Sequence, residues 1–473
     1  MTAALLVSVL LIAACGLIYE LVAGALASYL LGDSVTQFST VIGTYLFAMG
    51  IGSWLSRFIG RGLVTRFILI EIMVGVVGGF SSALLFVAFA YTSAFRLLLY
   101  ALVLVVGILV GLEIPLLMRL LRDRYQFKDV VANVLTFDYL GALGASLLFP
   151  IVLVPKLGLV RAPMLFGAIN VAVALWTTYV LRNALTTAAR RSLQAACLAA
   201  LALLGAGLWQ ANAVLDLAEA NLYADDVVLS RTTPYQRIVL TAWKDDLRLF
   251  LNANLQFSSR DEYRYHEALV HPGLAALPSA RRVLILGGGD GLALREVLRH
   301  PGVEQVTLVD LDPEMTRLFS THESLRRLNS DALLDRRVDV VNADAFTWLD
   351  TPGDPFDFAV VDFPDPSNFS LGKLYTTTFY RMLVARLTPE ATFVVQSTSP
   401  LFARQAYWCI VATVEQAGLA VAPYHVYVPS FGEWGFVLAG RTPPRIPTTL
   451  PDGLRFLTTR TLPEMFEFPS ASK

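Results

Sequence analysis

The residues best equipped for chemistry in this chain lie between Val283 and Asp365, where an acid stands at or just past the end of nearly every expected strand. The strand from Arg282 to Leu286 runs into Gly287-Gly288-Gly289-Asp290-Gly291. The next ends in Asp310, a third is followed by Asp344-Ala345, and a fourth ends in Asp362, with Asp365 three residues on. Glycines in such a turn let the backbone approach a ligand closely. An acid closing the second strand of a doubly wound α/β unit, about 20 residues later, accepts hydrogen bonds from ribose hydroxyls. Asp290 inside the turn would repel a pyrophosphate and attract a sulfonium or ammonium group. The pattern therefore selects an S-adenosyl-type ligand over a dinucleotide. Asp344 is placed to accept from an adenine amine, and equally to cap the helix from Phe346 onward; one role does not exclude the other. Asp362 and Asp365 would project two carboxylates into one cleft, which suits a polycation, and a carboxylate beside an amine can take its proton. The plainer alternative, that Asp365-Pro366 merely ends a strand, fits Asp365 better than Asp362.

The elements that must hold these acids follow from pattern. After Pro278 an apolar strand, a glycine turn, a helix and another apolar strand succeed one another, the signature of βαβ units around a parallel sheet. Ahead of them, alternating runs at Asp226 to Ser230, Tyr235 to Ala242 and Leu247 to Leu251 are separated by turn residues and predict a small antiparallel sheet. Arg260-Asp261-Glu262 then opens a helix through Val270. This gives a small β subdomain with a linking helix at 221–277 and a Rossmann-like catalytic domain at 278–473.

The remainder, 1–214, is overwhelmingly apolar. About seven stretches, near 4–31, 37–59, 67–91, 94–118, 133–154, 158–181 and 192–213, are each long enough to span a bilayer, which takes about 20 helical residues. The first run is too long for a signal-peptide core of about 7 to 15 residues and lacks a basic flank. A multi-pass α-helical membrane domain is expected, with the lipid bilayer as a partner and the cell (inner) membrane as location. Basic residues cluster after the second, fourth and sixth stretches, which puts those loops inside and, with seven spans, the segment after Val214 outside; one span fewer reverses this. Glu20, Glu71, Glu113 and Asp138 fall within the spans. They mark either a functional site or polar packing assisted by small-residue faces such as Gly141-x-x-Gly144. A net charge of −1 without a basic half lacks the footprint of a nucleic-acid binder. Cys15, Cys197 and Cys409 are too scattered for a disulfide framework or a zinc site.

The run Val283-Leu-Ile-Leu-Gly-Gly-Gly-Asp-Gly-Leu-Ala-Leu-Arg-Glu-Val-Leu-Arg-His300 closely resembles the hallmark of the spermidine synthases, the polyamine aminopropyltransferases. Tyr235-Gln236, Leu255-Gln256, Arg260-Asp-Glu-Tyr-Arg-Tyr-His-Glu267 and Val309-Asp-Leu-Asp312 agree in order. The similarity covers roughly Leu222 to Pro469, and the apolar part looks like that of the membrane-anchored branch. The resemblance implies transfer of an aminopropyl group from decarboxylated S-adenosylmethionine to a diamine, usually putrescine, with release of methylthioadenosine. By the same resemblance Asp362 matches the catalytic aspartate and Tyr265 the tyrosine that assists it. Asp290 matches the acid on the aminopropyl ammonium, Asp310 and Asp344 the ribose and adenine contacts. Gln256, with Gly287, Gly289 and Ala345, lines the donor site. Gln236 and His266 line the acceptor site, His266 as pocket wall rather than base. No metal or other cofactor is implied, and a homo-oligomer is.

The chain departs from the family pattern after Asp362, where Phe363-Pro-Asp-Pro-Ser-Asn-Phe-Ser-Leu-Gly-Lys-Leu-Tyr375 replaces Gly-Pro and a small-residue gate. Phe363 and Phe369 are expected to make the gate more apolar, and Lys373 adds a charge that a diamine avoids. Val428 to Gly435 replaces the acceptor-side loop; there Glu433 and Trp434 are candidate acceptor contacts, with a solvated loop charge the alternative for Glu433. Two other functions fit parts of the pattern: an S-adenosylmethionine methyltransferase, and a membrane polyamine sensor or transporter with a non-catalytic nucleoside-binding domain. Methyl transfer must accommodate the donor carboxylate, which Asp290 would repel.

Overall fold

The computed structural model describes residues 2–31, 34–92, 94–121, 127–223, 225–366 and 369–469. Two compact units emerge, Met1–Val227 and Val228–Lys473.

The first unit consists of helices α1 (Thr2–Leu31), α2 (Ser34–Leu55), α3 (Leu63–Tyr91), α4 (Phe95–Leu121), α5 (Phe127–Leu148), α6 (Val154–Val180) and α7 (Thr187–Leu222). Glycines let pairs of them touch backbone to backbone. A Cβ on Gly52 of α2 would lie 2.1 Å from the Ile108 carbonyl of α4, and one on Gly141 of α5 would lie 2.2 Å from the Leu10 carbonyl of α1. Gly144, the other half of that small-residue pair, meets nothing within 4 Å. Among the described residues six continuous helical stretches are long and apolar enough to cross a membrane. The expected break between the fifth and sixth spans falls at a kink in the backbone rather than at a loop. A π-helical turn at Phe149–Leu153 joins α5 to α6, so Lys128–Val180 is one 53-residue stretch. At Gly158, with φ 71° and ψ 179°, the backbone leaves helical geometry and the stretch divides into two helices, where the expected spans 133–154 and 158–181 part. The last helix also runs on past 214, to Leu222.

The second unit opens with a four-stranded antiparallel sheet: β1 (Asp226–Thr232), β2 (Arg237–Trp243), β3 (Asp246–Leu251) and β4 (Asn254–Ser258). Helix α8 (Glu262–Leu274) follows. The main sheet comprises β5 (Arg282–Gly287), β6 (Gln305–Asp310), β7 (Val338–Asn342), β8 (Phe356–Asp362), β9 (Leu387–Gln396), β10 (Ala420–Val428) and β11 (Gly432–Gly440), ordered β10-β11-β9-β8-β5-β6-β7. Its five strands from β9 to the β7 edge are parallel, and the β10–β11 hairpin joins antiparallel to β9. Val283 to Leu286 are wholly buried, as a central parallel strand covered on both faces must be. The small sheet has no separate core: Ile238, Leu240, Leu249 and Phe257 pack in one cluster with Ile285, Val306 and Leu308. Chain direction across the sheet reverses between β5 and β8, which makes their carboxyl ends the switch point where ligands bind in such folds.

Candidate functional site

Register brings the predicted acids together. Gly287 pairs with Asp362 across β5 and β8, while Leu286 pairs with Val309, the residue before Asp310. The strand ends are thus flush, and their acids lie side by side at one edge of the sheet. The turn between them is tight: Gly287 has φ +83°, and a Cβ there would lie 2.1 Å from the Asp362 carbonyl oxygen. Gly289 N donates to Asp310 Oδ2 at 3.0 Å, and Asp312 N donates to Oδ1 at 2.9 Å, so the Asp310 carboxylate is fixed by two backbone amides. Asp290 Oδ1 accepts from Leu292 N at 2.9 Å, opening the next helix.

Helix α8 supplies the opposite wall. Tyr265 Oη donates to Asp362 Oδ1 at 2.6 Å. One residue on, His266 Nδ1 meets Glu262 Oε2 at 2.9 Å, and Arg295 holds that same carboxylate in a bidentate grip, 2.9 Å to each oxygen. Glu267 accepts from the backbone amides of Arg455, Phe456 and Leu457 at 2.7 to 2.9 Å. Three consecutive side chains of the Tyr-His-Glu run therefore do three different things: they reach the acid, anchor to a buried ion pair, and clamp the C-terminal segment. The helix start is pinned as well, since Asp261 accepts from both the backbone N and the hydroxyl of Ser430, at 2.7 and 2.8 Å.

The electrostatics are those of a pocket with surplus negative charge. Burial pushes the Asp362 carboxyl up to about 6; Asp290 adds to this, while His266 and the Tyr265 bond act against it. Burial likewise raises Asp310 to about 6 and raises Asp290, the latter against the pull of His266. Burial works to lower His266, but Glu262, with Asp290 and Asp362 behind it, holds it above its ordinary value. A positively charged ligand would reverse the rise at all three acids.

Other predicted residues are placed differently. Asp344 caps the following helix through Phe346 N at 2.9 Å, and its second oxygen pairs with Lys373 Nζ at 2.6 Å; the loop lysine thus faces an acid. Ala345 is buried beside it. Gln236 Nε2 donates to Asp312 Oδ2 at 3.0 Å, next to Asp310. Gln256 is tied to the Asn254 carbonyl at 3.1 Å and is not bonded to the acid cluster. Asp365 accepts from Gln396 Nε2 at 3.1 Å and Thr398 Oγ1 at 2.8 Å. Glu433 does not join the cluster. It pairs with His425, and because successive strand residues face opposite ways it points away from Trp434. Trp434 Nε1 donates to Gln396 Oε1 at 3.0 Å. Phe363 is no gate: its ring packs at 5.8 Å from Phe379 in the core. Ser367, Asn368 and the Phe369 side chain lie outside the described residues.

Two residues that sequence reasoning passed over organise this site. Gln396, at the end of β9, donates to the Phe363 carbonyl at 2.5 Å and accepts from Thr398 N and Trp434, so it fixes the whole turn after Asp362. Its position closing a long apolar strand, as the acids close theirs, was the available signal. Asn329 Nδ2 donates to the Asp290 carbonyl at 2.9 Å from a distant helix end, which no local pattern announces.

Comparison with known proteins gives the family. The Spermine/spermidine synthase domain family matches residues 262–445. The Polyamine aminopropyltransferase of Leptospira interrogans serogroup Icterohaemorrhagiae serovar copenhageni is 53% identical over 99% of this chain and 94% of its own length. Polyamine aminopropyltransferase 2 of Ralstonia nicotianae is 57% identical over 98% of this chain and 93% of its own. The crystal structure of spermidine synthase from Thermotoga maritima aligns with a TM-score of 0.48 at 22% identity, covering 52% of this chain and 86% of that one. Neither a methyltransferase nor a non-catalytic sensor is favoured. With relatives of that name matching it nearly end to end, the chain belongs to the polyamine aminopropyltransferase family and is an enzyme of that type.

Proposed function

We propose that the cleft at the carboxyl ends of β5, β6 and β8 transfers the aminopropyl group of decarboxylated S-adenosylmethionine, the co-substrate of this enzyme type, to a diamine, with putrescine as acceptor and spermidine as product. Asp310 receives the ribose, Asp344 the adenine amine, and Asp290 the aminopropyl ammonium, with Gly287, Gly289, Gln256 and Ala345 along the donor. Asp362, oriented by Tyr265, accepts a proton from the acceptor amine. The free amine nitrogen then attacks the methylene next to the sulfonium. As the N–C bond forms, the C–S bond breaks and its electron pair goes to sulfur, which leaves as methylthioadenosine. An alkylamine of pKa about 10.4 is mostly protonated at neutral pH, so a base at this point is needed. Alignment within about 3 to 3.5 Å supplies much of the remaining rate.

The observation that carries this reading is the Tyr265–Asp362 bond inside a buried, acid-lined cleft with Asp290 within electrostatic reach. Asp365 supports the acceptor side through Gln396, which also carries Trp434. His266 forms the wall behind Tyr265, and Gln236 closes the cleft over Asp312. Incubating the purified protein with decarboxylated S-adenosylmethionine and a panel of diamines, then weighing the products, tests it. Spermidine and methylthioadenosine in equal amounts are expected from putrescine. A product heavier by only a methyl group would overturn it.

We also propose that the first unit crosses the cell membrane several times. The support is the six long apolar stretches and the large apolar side chains they turn outward, among them Phe47, Leu97, Ile151 and Trp209. Self-association rests on the family resemblance alone.

A further inference from the structure

The helical unit contains a knot of polar groups that its apolar composition makes expensive. Glu71 of α3 receives two bonds from Asn170 Nδ2 of α6, at 3.0 Å to Oε2 and 2.9 Å to its own carbonyl. That leaves Glu71 Oε1 and Asn170 Oδ1 without a partner, as are Glu113 Oε1 of α4 and Tyr19 Oη of α1. All four side chains are buried, Glu71 and Asn170 completely. A Cβ on Gly78 of α3 would lie 2.8 Å from the Tyr19 ring, and one on Gly16 of α1 would lie 3.0 Å from Val110 of α4, so the four helices carrying these groups pack closely and the charges of Glu71 and Glu113 act on one another and on both Cys15 and Tyr19. Nearby donors are already engaged: Tyr45 Oη donates to the Gly16 carbonyl at 2.8 Å and Cys15 Sγ to the Phe166 carbonyl at 3.3 Å. Among the described residues no Lys or Arg pairs with either glutamate.

Three of the four unpartnered atoms are pure acceptors when the carboxyls are ionised, and the fourth can accept. Buried acceptors without donors cost about 1 to 3 kcal/mol each, so they persist where something fills them. Protons on both carboxyls would, with the Tyr19 O–H, supply three donors but no charge, and each would sit on a separate side chain. A primary ammonium brings three N–H donors and the charge that two carboxylates lack. We propose that Tyr19, Glu71, Glu113 and Asn170 form a binding site for an alkylammonium cation inside the helical unit. This site is separate from the catalytic cleft and uses the same ligand chemistry. It depends on the membrane reading of the helices, not on the assignment of the cleft.

Equilibrium binding of radiolabelled putrescine to the full chain in lipid nanodiscs, without donor, tests this. Two classes of site per chain are expected. The variant Glu71→Gln/Glu113→Gln should lose one class while its transferase kcat and KM stay within about twofold of the parent, because neither glutamate belongs to the cleft. Tyr19→Phe, which keeps the ring, should weaken that class several-fold; it carries the test if the double variant fails to fold. Ethylammonium should displace the label from this class and sodium at the same concentration should not. A single class in the parent protein, no change in either variant, or equal displacement by sodium would each overturn the proposal. Alkaline extraction of the same membranes reads the membrane assignment separately, so the two failures are distinguishable.

Discussion

Asp362 has to be ionised to take a proton, yet its surroundings resist ionisation. With its carboxyl held at about 6, the rate constant kcat/KM for the free enzyme should rise with pH through an acid limb near 6, and Asp310, also at about 6, contributes to the same limb. An acid limb at the ordinary aspartate value near 4 would contradict the buried placement. The same shift sets a stability effect whose sign can be worked out. Between the ordinary value of 3.8 and the folded value of about 6, the folded chain keeps a proton that the unfolded chain has lost. The unfolded state then binds fewer protons, so stability falls as pH rises across that window and the cost is fully present above it. Asp362→Asn removes the cost without changing shape and can still accept from Tyr265. It should lower kcat by about 10²- to 10⁴-fold while stabilising the protein at pH 7.5 by on the order of 1 to 3 kcal/mol, a gain that vanishes near pH 3.5. Paired activity and thermal-melting measurements check both halves. A variant that is both inactive and less stable at pH 7.5 would mean that Asp362 is structural.

The glycine turn separates two kinds of close packing at the scale of an element. At Gly287 an added methyl meets backbone, the Asp362 carbonyl at 2.1 Å, in a conformation at φ +83° that side chains avoid. At Gly289 it meets the Asp310 carboxylate at 2.7 Å, the far end of a side chain that can move only by giving up its two amide bonds. Gly287→Ala should therefore cost about 1 to 3 kcal/mol or more of stability. Gly289→Ala should lose less stability than Gly287→Ala but bind the donor at least about tenfold more weakly, since Asp310 must leave the position its two amides give it. Calorimetric titration beside a melting curve separates them, and equal stability losses would count against the distinction. This turn and the acids at strand ends were legible because they depend on local order along the chain: strand, turn, acid, repeated. Gln396, Asn329 and the Arg295–Glu262 pair were not, because each acts through a partner 31 to 39 residues away or on another element. Glu433 misled for a related reason. Its neighbour Trp434 faces the turn after Asp362, and the strict alternation of β11 sends the carboxylate the other way, to His425.

The whole molecule combines two separately packed units in one chain. The core of the helical unit draws only on α1 to α7 and the segments joining them, and the cores of the second unit only on residues beyond Val228. Membrane-length apolar runs were plain in the sequence because continuous hydrophobicity over about 20 residues shows along the chain, and the break between α5 and α6 was legible at Gly158, whereas the π-helical turn at Phe149–Leu153 was not. If the outward-facing apolar side chains of the first unit contact lipid, the full chain should stay in the pellet after washing membranes with alkaline carbonate, which strips peripherally held proteins. Because the second unit has its own cores, a chain of residues 223–473 should appear in the supernatant, bind the donor, and turn over putrescine within about threefold of the full chain. Release of the full chain by carbonate would sink the membrane reading. A shortened chain that is soluble and folded by melting but inactive would show that catalysis needs the helical unit, which a cleft built wholly from residues between Gln236 and Trp434 gives no reason to expect.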